Sequence, residues 1–147
     1  MEAYEQALET DVGHPPPYTS KELDAVLGLI LRKGEGTFGP LSRHPKFLSL
    51  SIENWSRPRF EDLEGVPLMI FDAWDSELGS LQPLIDHCPR IDSIVLNRCD
   101  VTDLSPLLQL DDLFMFTLYS CPLDEPSWRE VVPELLAKGV EHTGNYR

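Results

Sequence analysis

A chain of 147 residues is long enough to bury a core of its own, and a 41% hydrophobic content excludes a disordered polymer. Twelve basic side chains against 25 acidic ones leave a formal charge of -13. That excess repels phosphate backbones, so direct nucleic-acid binding is not expected and a basic partner suits the chain better.

Residues 2–10 read as a short helix. The following Gly13-His14-Pro15-Pro16-Pro17 must run extended, because three prolines do not fit inside a helix. Ser20 then reads as the N-cap of a helix over 21–33, in which Leu23, Val26, Leu27, Ile30 and Leu31 recur at helical spacing and Gly34 supplies the stop. Gly34-Glu35-Gly36 and Gly39-Pro40 form the next loop. From Pro45 onward the period changes to that of strands, predicted at 47–52, 67–71, 93–97 and 115–119. Leu50, Ile70, Leu96 and Leu118, taken as equivalent, recur at intervals within or near those of a solenoid repeat. A closing helix over 127–138, bent or split into two short ones at Pro133 and stopped by Gly139, leads to a last short strand at Val140-Glu141-His142.

The last two strand units carry the strongest internal signal. Ile91-x-x-Ile94-x-Leu96-x-x-Cys99-x-Val101 is followed by Leu113-x-x-Phe116-x-Leu118-x-x-Cys121-x-Leu123, with every element displaced by the same interval. Between the strands, Leu81-Gln82-Pro83-Leu84-Ile85 echoes Leu104-Ser105-Pro106-Leu107-Leu108, each expected as a short helix or turn on the outer side. This pattern resembles the leucine-rich repeat, with cysteine in the place often held by asparagine. The resemblance implies an α/β solenoid of about four parallel strands lining one curved face, with an N-terminal helix, a C-terminal capping helix and a non-catalytic binding role. The expected layout is one domain: an N-terminal cap over 1–44, repeats over 45–125 and a C-terminal cap over 126–147. An ordinary parallel α/β domain is the alternative.

Few residues offer chemistry. Structural zinc uses close ligand pairs, whereas Cys88, Cys99 and Cys121 are widely separated in sequence. The gap from Cys99 to Cys121 equals the repeat, which makes them stacked, buried positions. No metal and no cofactor are expected. Three unpaired cysteines favour reduced thiols, and a reactive thiolate lacks an electropositive neighbourhood around Cys121. His14, His44, His87 and His142 are scattered without metalloprotease spacing, and Gly34-Glu35-Gly36 lacks the lysine and hydroxyl of a phosphate loop. The first residues lack a signal-peptide pattern, and the longest apolar run, 25–31, is too short for a bilayer. A cytoplasmic protein without membrane association is therefore expected.

Strand alternation sorts the repeats into two faces. Leu48, Leu50, Leu68, Ile70, Ile94, Leu96, Phe116 and Leu118 are expected inside, and Met69, Phe71, Val95, Asn97, Met115, Thr117 and Tyr119 on the opposite, unusually apolar face. Between Phe60 and Pro126, fourteen acidic side chains face only Arg90 and Arg98. Asp72, Asp75 and Asp100 follow successive strands and are expected to rim that face. An apolar centre inside an acidic rim fits a basic protein partner, such as a toxin domain, bound by a monomer or weak homodimer. In general character the chain also resembles immunity proteins that neutralise basic toxins. The alternatives are an adaptor or regulatory subunit, or an enzyme using Cys88, His87 or the aspartates at the strand ends.

Overall fold

The computed structural model describes residues 2–144. Helix α1 (Ala3–Val12) starts at a reciprocal cap, in which the Glu2 N–H donates to the Glu5 carboxylate, and stops at Gly13, whose N–H donates to Glu9 O. The helix expected over 21–33 does not form. Thr19, rather than Ser20, caps a single turn, α2 (Ser20–Asp24), and the chain then extends into β1 (Gly28–Glu35). Residues 25–31 are apolar apart from Gly28, so helical and strand periods both fit them; tertiary pairing decides. Gly28 permits it, since a Cβ there would stand 2.8 Å from Ser49 O on the neighbouring strand.

Five further strands follow: β2 (Ser49–Ser56), β3 (Ile70–Trp74), β4 (Ser93–Asn97), β5 (Met115–Tyr119) and β6 (Glu141–Gly144). All six pair in parallel and in chain order, where about four were expected. Short outer segments return the chain between strands. They are the 3-10 turns Leu41–Arg43, Phe60–Leu63 and Ser105–Gln109, helix α3 (Gln82–His87), and a π turn, Ser127–Val131, that runs into α4 (Val132–Ala137). Each strand pairs only with the strands beside it, which is the coil of a solenoid.

The register defines two buried rows. Leu29, Leu50, Phe71, Ile94 and Phe116 form one; Leu31, Ile52, Ala73, Leu96 and Leu118 form the other. Within each row the spacing in sequence is nearly constant. Leu50 and Ile70 are therefore not equivalent. Ile70 lies on the opposite face, while Phe71, expected outside, has no exposure at all. Residues 67–71 are uniformly apolar, so alternation supplies no phase there. Leu48, expected inside, likewise lies at the rim, and its neighbour Phe47 is buried in its place.

At the C-terminal end of the paired strands, Lys33, Asn54, Asp75, Arg98 and Ser120 all take positive φ between 52° and 56°, turning the chain off the sheet. The next residues, Gly34, Trp55, Ser76, Cys99 and Cys121, point inward. Ser76 Oγ accepts from the Trp55 N–H at 3.1 Å and donates to Trp74 O at 2.9 Å. The Cys99 and Cys121 thiols donate more weakly to Ala73 O and Leu96 O. Cysteine here takes over the inter-coil bonding role of a small polar residue.

Gly34 leaves space for the Trp55 ring, which a Cβ would meet at 2.2 Å. Gly34→Ala is expected to lower stability by about 1–3 kcal/mol through overpacking. Combined with Trp55→Leu, it should cost less than the sum of the two single changes, a coupling that urea denaturation measures.

Candidate functional site

Helices and turns cover one side of the sheet; the other is open. Three rows cross it in register: Gly28–Ser49–Ile70–Ser93–Met115–Glu141, Ile30–Ser51–Asp72–Val95–Thr117–Thr143, and Arg32–Glu53–Trp74–Asn97–Tyr119. Ile30, Trp74 and Tyr119 are 48%, 38% and 40% exposed, high values for large apolar side chains. Helix α1 packs chiefly on β1. Gln6, Ala7, Thr10 and Asp11 face Ile30 and Ser51 across an open groove of about 470 Å³, and the remaining strands are not covered by it. The helix is anchored by Tyr4, whose hydroxyl meets His44 Nε2 at 2.8 Å, while His44 Nδ1 lies 2.8 Å from Leu23 O.

Asp72 occupies the middle of this face. Its Oδ2 accepts from Ser51 Oγ at a long 3.3 Å, and its Oδ1 is shielded from solvent without a hydrogen-bond partner. Burial pushes its carboxyl above the ordinary aspartate range, offset in part by the Ser51 bond. Asn97, diagonally across on β4, likewise has a shielded Oδ1 without a partner. At the β1 end of the row that holds Asn97, Arg32 Nε donates to Glu53 at 2.8 Å.

The residues expected at the site divide accordingly. Asp72, Val95, Asn97, Met115 and Tyr119 do share the open face. Thr117 shares it too but is only 9% exposed and shares a hydrogen bond with Thr143 at 2.7 Å. Phe71 is core. Met69 is exposed, but at the N-terminal rim of the sheet beside Phe114, Arg90 and Asp112. Asp75 and Asp100 lie at the opposite rim and are committed to the chain itself. Asp75 forms a two-pronged pair with Arg98, with Nη2 to Oδ2 at 2.9 Å, which holds its carboxyl below the usual range. Asp100 Oδ1 accepts from the backbone N–H groups of Leu78 and Gly79 at 2.7 and 3.1 Å. Sequence reasoning missed Ile30, Ile70, Trp74 and the Arg32–Glu53 pair. Aligning Ser76 with Cys99 and Cys121 puts Phe71 in the position of Ile94 and Trp74 in that of Asn97, a signal present in the residues.

Alternative chemistry finds little geometry. His87 Nδ1 lies 2.6 Å from Glu64 Oε2. Neighbouring Cys88 is buried, with its thiol pushed up to about 12 by burial first and Glu64 second. Burial likewise drives Cys99 up to about 11. Among the described residues no three His, Cys, Asp or Glu side chains gather as a metal site, and no helix is long and apolar enough to cross a membrane.

No protein-family model matches the chain, and no curated protein matches it in sequence. Among solved structures it is similar to an internalin C2 from Listeria monocytogenes. The two align over 97% of this chain and 92% of the other at 12% identity, with a TM-score of 0.46. The repeat register described above, rather than that likeness, carries the resemblance to leucine-rich repeats.

Two outcomes follow from the titrating groups. Because the folded chain holds the Asp72 proton more tightly than the unfolded one, stability falls as pH rises from the ordinary aspartate value through the raised one, and the deficit is complete above it. Asp72→Asn should therefore raise the urea midpoint near neutral pH and leave it unchanged in acid below the ordinary aspartate range. The three thiols should resist a thiol-exchange reagent at mildly alkaline pH in the native chain and react together once it is unfolded.

Proposed function

We propose that the chain is a non-catalytic protein-binding module that receives a basic protein on the open sheet face, most concretely an immunity or antidote protein that occupies and neutralises a basic toxin. The observation that carries this reading is the exposure of Ile30, Trp74 and Tyr119 on a face whose centre is the half-buried carboxylate of Asp72. Exposed aromatics are the side chains that supply interface anchors. A net charge of -13 draws a basic partner in from a distance, and the short-range contacts then fix its pose. The resemblance to leucine-rich repeats implies the same non-catalytic role.

Capture of the tagged chain from extracts of its own cells should recover one basic protein in near one-to-one ratio. Trp74→Ala and Tyr119→Ala should weaken its retention about tenfold or more, whereas Leu136→Ala, an exposed apolar side chain on α4, should not. The recovered protein should be toxic when expressed alone and harmless when co-expressed with this chain. A non-toxic partner supports an adaptor instead, and retention indifferent to both aromatic substitutions removes the open face from the account.

A further inference from the structure

We propose that the centre of the open face is an arginine-receiving site, in which a guanidinium of the partner lies between Trp74 and Tyr119 and donates to Asp72 and Asn97. This inference rests on the open face being the partner surface. The register places the side chains: Trp74, Asn97 and Tyr119 follow one another across β3, β4 and β5 in one row, and Asp72 stands in the adjacent row, diagonal to Asn97. Two aromatic surfaces thus flank an amide, with a carboxylate one step away and the apolar Val95 opposite it.

What is missing from this arrangement is a donor. Asp72 Oδ1 and Asn97 Oδ1 are both acceptors, both shielded, and neither receives a hydrogen bond. A shielded acceptor left unpaired is costly, and an incoming donor relieves that cost. Among the described residues the arginines nearest this row are already engaged, Arg32 by Glu53 and Arg98 at the rim by Asp75. Asp72 Oδ2 is held only by the long bond from Ser51, a weak restraint against turning the carboxyl toward an incoming donor.

Arginine fits better than lysine for reasons of shape and hydration. Its planar fork carries five donors, enough to reach two acceptors on neighbouring strands, and its flat face stacks on indole and phenol rings. An ammonium group is compact, strongly hydrated and unable to stack. Val95 beside Asp72 is apolar, and Thr117 commits its hydroxyl to Thr143, so little competes with a charge-assisted bond to Asp72.

The probes are N-acetyl-arginine amide and N-acetyl-lysine amide, titrated into the isotopically labelled chain and followed by NMR. With the arginine probe, the Trp74 indole N–H and the Asn97 side-chain amide should shift saturably, with several-fold tighter binding than the lysine probe. Asp72→Asn should weaken arginine binding about tenfold, the loss of one charge-assisted contact, while Asp86→Asn, which removes the same charge from α3, should not. Equal responses to the two probes, shifts scattered over the acidic surface, or indifference to Asp72→Asn would each overturn the site. Failure of the probe alongside partner capture that still depends on Trp74 and Tyr119 overturns the arginine site and leaves the open face standing. Saturable probe binding alongside capture indifferent to those aromatics supports the site and overturns the partner reading.

Discussion

Each coil contributes one strand and one short return, and neither has a hydrophobic face that it can bury by itself. Burial comes only from stacking. Leu29 to Phe116 and Leu31 to Leu118 form continuous inner rows because parallel pairing sets each residue beside its counterpart one coil away. A slip of one residue in any unit would expel its inner pair to solvent, so the register is enforced by apolar burial as much as by backbone hydrogen bonds. What packs behind the rows shifts along the coil. In the N-terminal half, rings link in sequence: Trp55 to Phe38 at 5.5 Å, Phe38 to Phe60 at 6.1 Å, and Phe60 to Phe71 edge-on at 5.9 Å. That bulk accompanies Ala73, the smallest residue of either row. The C-terminal half is largely aliphatic, with leucines from α3 and the turn at Ser105–Gln109 filling the space behind β4 and β5.

Polar side chains join the coils at their edges. Asp62 accepts from the Thr37 hydroxyl and the Phe38 N–H one coil back, Asp100 from the Leu78 and Gly79 N–H groups, and Ser127 Oγ from the Leu104 N–H. Gln82 and Gln109 exchange a pair of amide hydrogen bonds at 2.9 and 2.8 Å between adjacent outer segments. Asp62 and Asp100 thus have a structural role at the rims. The central face is different: its carboxylate, Asp72, has a weak partner on one oxygen and none on the other. The distinction between acid used in folding and acid left over is what singles out that face.

Two repeats were legible in the sequence because their phase is marked twice, by the apolar triplet and by the cysteine that follows it. Strands β4 and β5 begin and end where alternation put them. The third unit carries the same pattern as Leu68-x-x-Phe71-x-Ala73-x-x-Ser76-x-Leu78, but a run of adjacent apolar residues hid its phase and moved Phe71 to the wrong face. The first was hidden more completely, since Val26-x-x-Leu29-x-Leu31 is compatible with one side of a helix. Its loss removed Ile30 and Arg32 from the candidate face, and the slip in the third unit removed Trp74.

The residue pattern by itself determined a recurring unit of short parallel strands, with apolar positions too sparse per unit to close alone, and it favoured a coil over an ordinary parallel α/β domain. It also determined a large negative charge without metal or nucleophile spacing. Only the tertiary structure decided which apolar residues face inward, because in runs such as 25–31 and 67–71 the local energies of the two faces are nearly equal and the neighbouring strand breaks the tie. The same holds for charge. An aspartate's role depends on which N–H or guanidinium reaches it, and those partners lie far away in the chain and one coil away in space.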